Sequence, residues 1–184
     1  MTESENKSRD ANKPAIKSKF REALLLMLIL TSTIVLDQIT KTWAKGSLRS
    51  HDVIEFANGI FRLEYAENPG AFLGLGGGMS PDARFWIFTV LVALFLVFAS
   101  ASLFRMQSDR IQQCGLALLV GGGLGNLWDR LLYQRVVDFM NLGLGDIRTG
   151  IFNLADFAIV VGICLMVFGQ YAASKAATLT KAKT

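Results

Sequence analysis

The chain has 184 residues, of which 52% belong to the apolar set and 18% are charged, with a formal charge of +4. Soluble domains are nearer a quarter charged, so this composition, with a mean hydropathy of +0.38, argues for a single membrane domain and against a soluble class. The basic residues sit in tails and short loops rather than among aromatics on one face, which argues against a nucleic-acid partner and reads as membrane topology.

Residues 1–21 are polar and basic, nearly free of large apolar side chains, and are expected to form a disordered tail. An apolar run follows at once. Ala23 to Trp43 is 21 residues, enough to cross a hydrocarbon layer of about 30 Å. A cleavable leader fits less well, because Asp37, Gln38 and Lys41 stand where a small-residue cleavage site belongs. Residues 44–84 form a β-rich loop in which Val53 to Tyr65 reads as a hairpin turning at Asn58-Gly59. Gly74, Gly76, Gly77 and Gly78 make the approach to the next span a candidate flexible segment. Phe85 to Phe104, Ile111 to Trp128 and Ile151 to Tyr171 are three further apolar runs, the last holding one charge, Asp156. Val136 to Met140 reads as a short strand between the last two, and residues 173–184 as a second polar tail.

The expected architecture is an all-α membrane protein. Residues 22–172 form one domain of four transmembrane helices, about 23–43, 85–104, 111–128 and 151–171, under a small extracytoplasmic β-sheet. Orientation follows from Lys and Arg. Six lie in the N-terminal tail, two (Arg105 and Arg110) in the very short second loop and three in the C-terminal tail, so both termini are expected to be cytoplasmic. Cys114 and Cys164 lie in apolar runs without ligand-spaced partners and read as buried thiols. His51, the single histidine, stands in a polar stretch, which argues against a metal site and against a Ser/His or Cys/His nucleophile.

With this topology the intramembrane polar residues converge on one leaflet. Asp37 and Lys41 are four apart at the outer end of the first span, Asn126 and Asp129 three apart at the outer end of the third, and Asn153 and Asp156 three apart at the start of the fourth. Each pair shares a helix face, so three polar faces can meet around one cavity. A carboxylate at the depth of Asp156 costs roughly 2.5 kcal/mol or more unless it faces protein or water, which makes it a candidate functional group. Asp138 lies between apolar neighbours in Val136-Val137-Asp138-Phe139. Two carboxyls sharing a site cannot both ionise cheaply, so one can act as base toward a water while the other donates to a scissile carbonyl. That chemistry needs neither metal nor other cofactor, and none is expected.

Five blocks in order resemble a known family. They are Asp37-Gln38-Ile39-Thr40-Lys41, Asn68-Pro69-Gly70-Ala71-Phe72, Gly122 to Arg130, Val136-Val137-Asp138-Phe139 and Phe152-Asn153-Leu154-Ala155-Asp156. Together they are similar to the motifs of lipoprotein signal peptidase, also called signal peptidase II. The resemblance implies a multi-pass enzyme of the bacterial plasma (inner) membrane with its active site at the extracytoplasmic face. It also implies cleavage of diacylglyceryl-modified prolipoproteins just before the lipidated cysteine, and inhibition by globomycin-type cyclic peptides. It matches Asp138 and Asp156 to the catalytic pair, and Asp37, Lys41, Asn68, Gly70, Asn126, Asp129, Arg130 and Asn153 to a substrate-binding or supporting shell. Membrane lipids are the other expected partners, and a monomer the expected state. Gly145 to Ile151 departs from the family, many of whose members carry Pro and aromatic residues there.

Other interpretations of the same residues remain. Asp138 and Asp156 could be ion-paired structurally with Arg130, Arg135 or Lys41; Asp37 with Lys41 could simply order a helix end; Asn68 could be a turn residue before Pro69. Gly121 to Gly125 lacks the preceding strand and the Lys-Ser/Thr ending of a phosphate loop, and reads as close helix packing. Gly143-Leu144-Gly145-Asp146 matches a short presenilin-like signature but has no Tyr-Asp partner, and reads as a solvated turn. The functional alternative is an ion- or proton-coupled small membrane transporter, although such proteins place their carboxylates near the midplane between repeats.

Overall fold

The computed structural model describes residues 3–71, 75–105 and 109–181, so Phe72 and Gly74 lie outside the described residues. The order is α1 (Glu3–Ser47), β1 (Ile54–Phe56), β2 (Phe61–Asn68), α2 (Pro81–Arg84), a π-helical stretch (Phe85–Leu91), α3 (Val92–Arg105), α4 (Arg110–Tyr133), β3 (Val136–Leu144), β4 (Ile147–Arg148) and α5 (Leu154–Lys181). The architecture is mostly helical, with one small four-stranded sheet.

Three helical stretches are long and apolar enough to cross a membrane: Phe20–Ser47, Pro81–Leu103 and Leu154–Thr180. They present rows of exposed apolar side chains, among them Leu28, Val35 and Ile39 on α1, Val97 and Phe98 on α3, and Val167 and Phe168 on α5. The expected third span, 111–128, falls within α4, which is not among the three. Gln112, Gln113, five glycines, Asn126 and Asp129 dilute its apolarity. Its position explains that dilution: α4 packs against α1, α3 and α5 and buries eleven of its residues, so its polar groups meet protein. Its 24 residues reach about 36 Å at 1.5 Å per residue.

Residues 3–19, expected within a disordered tail at 1–21, continue α1 as helix. Their Glu, Lys, Arg and Ala are good helix formers, and a long apolar helix supplies the nucleus that such a segment need only extend.

Side-chain chemistry sets the other boundaries. Ser80 caps α2 by accepting from the Ala83 N–H, with Pro81 in the first turn. Gln134 ends α4 in a left-handed conformation, its N–H donating to the Arg130 carbonyl at 3.0 Å.

The sheet runs β1-β2-β3-β4, antiparallel throughout. Its hairpin turns at Asn58-Gly59 as expected, with Ala57 and Asn58 at φ near 50° and Gly59 at 80°. β3 extends past Met140 to Leu144, and Gly145, at φ 57°, turns it into β4. A two-residue strand is too short to leave a periodic signal. Asp146 sits exposed in that turn, as a solvated residue should.

One core cluster joins Leu26 of α1, Ala99 and Leu103 of α3, and Leu116, Ala117 and Val120 of α4. A second fastens the sheet to the end of α1 through Ala44, Leu48, Val137 and Phe139. The glycine run of α4 serves helix packing: a Cβ on Gly122 would lie 2.4 Å from the Ala155 carbonyl oxygen, and one on Gly125 would lie 2.6 Å from Asp37 Oδ2. Because Ala155 precedes Asp156, Gly122→Ala should push the start of α5 outward and destabilise the fold by about 1–3 kcal/mol. Thermal unfolding in detergent micelles reads this as a lowered Tm.

Candidate active site

Strand alternation decides where Asp138 points. Val137 and Phe139 pack on the end of α1, with the Trp43 ring edge-on to Phe139 at 6.2 Å. Successive strand residues face opposite sides, so Asp138 turns toward the start of α5. There Asn153 and Asp156 cap the helix reciprocally. Asn153 Oδ1 accepts from the Asp156 N–H at 3.0 Å, and Asp156 Oδ2 accepts from the Asn153 N–H at 3.2 Å. A carboxylate in that first turn also lies at the favourable end of the helix dipole.

Two amides tie the two aspartates together, and a third braces one of them. Asn153 Nδ2 donates to Asp138 Oδ1 at 2.6 Å and to Asn126 Oδ1 at 3.1 Å, and Asn126 Nδ2 donates to Asp156 Oδ1 at 2.8 Å. Asn68 Nδ2 donates to Asp138 Oδ2 at 2.9 Å. All four carboxylate oxygens thus receive a protein donor, and both acids are buried. Asn68 is a turn residue as well, since its Oδ1 accepts from the Gly70 N–H at 2.9 Å.

The cations that could have neutralised the pair are engaged elsewhere. Lys41 Nζ lies 2.7 Å from Asp37 Oδ2 and 3.1 Å from Asp129 Oδ2, and Arg135 pairs with Glu67. Arg130 donates to the carbonyls of Gly70 at 2.8 Å and Asn126 at 3.3 Å, fastening the loop after β2 to α4. Beside Arg130 is a small cavity of about 30 Å³, reached also by Arg84, Thr89 and Gln134. All ten residues singled out by the sequence therefore lie in one connected region. Asp37 reaches it by accepting from the Ala155 N–H at 3.0 Å, which fixes α1 against the start of α5.

Sequence reasoning left two contributors off its site list. Gln38, which lies in the first of the five motif blocks but was assigned no role, donates to Asp129 Oδ1 at 3.3 Å and to the Gly125 carbonyl at 3.2 Å. Its place beside Asp37 was the available signal. The backbone N–H groups of Asn153 and Ala155 leave no signal in residue type.

Burial and the neighbouring Asp156 push the Asp138 carboxyl up to about 6, against hydrogen bonds from Asn68 and Asn153 and the charge of Lys41. The folded value exceeds the unfolded one, so this group's contribution to stability is present below pH 3.8 and is lost as pH rises through about 6. Asp138→Asn should therefore gain on the parent chain between those pH values by something on the order of 3 kcal/mol, with no change in the gap above or below. Denaturation midpoints of both proteins across pH 3 to 8 (about that range) measure it.

Comparison with known proteins adds relatives to this geometry. The family model described as signal peptidase (SPase) II matches residues 29–171. The lipoprotein signal peptidase of Desulforapulum autotrophicum is 37% identical over 151 residues, covering 80% of this chain and 92% of that protein. Those of Psychromonas ingrahamii and Clostridium novyi are 35% and 36% identical, covering 82% and 76% of this chain and 86% and 93% of theirs. A bacterial membrane enzyme solved by the in meso method at 2.3 Å superposes with a TM-score of 0.69 at 25% identity, over 82% of this chain and 89% of that one. The transporter alternative gains no support from these relatives.

Proposed function

The chain belongs to the signal peptidase II family, bacterial multi-pass membrane peptidases that remove signal peptides from prolipoproteins, and on that premise we propose that Asp138 and Asp156 are its catalytic pair. The observation that carries the proposal is the set of four donors, one to each carboxylate oxygen, holding two buried acids in fixed orientation. Between them a water is held. The ionised carboxyl takes a proton from that water as its oxygen bonds to the scissile carbonyl carbon, while the protonated carboxyl donates to the carbonyl oxygen. The resulting gem-diol collapses when the amide nitrogen receives a proton, breaking the C–N bond and leaving a new carboxylate and a new amine. The two acids titrate as a pair.

The substrate is a diacylglyceryl-modified prolipoprotein, cut just before the lipidated cysteine. Its acyl chains belong in lipid and its scissile bond at the interface. A site where the ends of α1, α4 and α5 meet the sheet satisfies both. α4 brings the membrane crossings to four, its polar residues shielded by the other helices. Both termini are cytoplasmic, as the basic tails suggest, and the sheet is extracytoplasmic. Residues 22–172 form the peptidase domain, and the enzyme works as a monomer. Arg130 and Asn68, next to the pair, are placed to hold substrate backbone, and globomycin-type cyclic peptides would compete there.

The test is a gel-shift assay with purified protein and a diacylglyceryl-modified precursor. Asp138→Asn and Asp156→Asn should each lower cleavage by roughly 10²- to 10⁴-fold while the protein stays folded, and EDTA should change nothing. Retained cleavage by both variants would falsify the pair. Loss of the proton that the pair shares puts the alkaline limb of kcat/KM, which reports the free enzyme, above the ordinary carboxylate range. Bound acyl chains dry the site further, so kcat should hold to higher pH.

A further inference from the structure

Lys41 is 1% exposed, and its ammonium meets three oxygens. Two belong to its counter-ions, Asp37 and Asp129, and already answer its charge. The third is the neutral amide oxygen of Asn126, at 2.8 Å, and neutralisation does not require it.

What that third contact does follows from the amide itself. Asn126 Oδ1 accepts from Lys41 and from Asn153 Nδ2, while Asn126 Nδ2 faces Asp156 Oδ1. A planar amide turned by 180° would set its oxygen against the Asp156 carboxylate and its NH₂ against an ammonium and another NH₂. The other two amides are held by the backbone, Asn153 through the Asp156 N–H and Asn68 through the Gly70 N–H. No backbone donor reaches the Asn126 side chain among the described residues. We propose that Lys41 is a positioning residue for the aspartate pair: its hydrogen bond to Asn126 Oδ1 fixes the sense of that amide, so that Asn126 donates to Asp156. Lys41 touches neither aspartate of the pair and acts two bonds away, through Asn126.

This rests on the assignment of Asp138 and Asp156 as the catalytic pair. It also gives the buried cation a second task besides answering Asp37 and Asp129, since a donor on Oδ1 reinforces the amide sense in which Nδ2 faces Asp156.

Removing Lys41 alone strands Asp37 and Asp129 as buried charges and endangers folding. The working variants therefore neutralise the whole group. D37N/K41M/D129N and D37N/K41Q/D129N have the same charge and similar bulk, but only the glutamine retains a donor for Asn126 Oδ1. Purified proteins in nanodiscs are assayed with the lipidated precursor. The methionine variant should lose roughly 10- to 100-fold in kcat with KM unchanged, and the glutamine variant should recover most of it. In an Asn126→Ala background the difference between the two should vanish. Equal kcat for the two variants, or a difference that persists without Asn126, overturns the proposal. Inactive Asp138→Asn and Asp156→Asn proteins alongside equal methionine and glutamine variants would sink this role of Lys41 alone; full activity in both aspartate variants would sink the pair itself.

Discussion

Two buried carboxylates that face the same few ångströms repel each other and have lost much of their water, so each oxygen must be met by a donor held by something else. The arrangement around Asp138 and Asp156 meets that demand with Asn68, Asn126, Asn153 and a backbone N–H. Asparagine suits the task because it donates without adding charge. A lysine or arginine in direct contact would favour the ionised form of both acids and remove the proton sharing that the proposed mechanism needs.

The cations stand one layer out. Lys41 answers Asp37 and Asp129, and Arg130 holds the carbonyls of Gly70 and Asn126. Breaking a buried ion pair by removing one partner costs about 3–5 kcal/mol, so this outer layer is rigid as well as charged. It also joins elements distant in sequence. Asp37 of α1 accepts from the first turn of α5, and Gln38 reaches α4, so the end of α1 closes the site although it contributes neither acid.

This polar interior explains the character of α4. A helix carrying Asn126, Asp129 and Arg130 would be costly facing lipid, yet it lies among α1, α3 and α5. Its glycines bring those neighbours close: Gly122 admits the Ala155 carbonyl and Gly125 the Asp37 carboxylate. The apolar surface is carried by the outer helices, and the enclosed one supplies Asn126, Asp129 and Arg130 to the polar interior.

Much of this was legible from residue order. Apolar runs announced the helices, Asn58-Gly59 the hairpin, and helical spacing the pairing of Asp37 with Lys41 and of Asn153 with Asp156, because such signals depend on neighbours within a few residues. Asp37, Asn126, Asp129, Asn153 and Asp156 stood out because an acid or amide in or beside an apolar segment is conspicuous by its cost, whereas Asn68 and Gly70 came only from the resemblance of the motif blocks. The helical course of residues 3–19, the strand at Ile147–Arg148 and the contribution of Gln38 were not legible in the same way, since each depends on what the segment meets or extends. Only the tertiary structure decided that Asn126 receives Lys41 and Asn153 on one atom and offers its other to Asp156. The reason is physical: an amide has two nearly equal ends, and which one faces a carboxylate is settled by donors arriving from other helices, about which the local sequence carries no information.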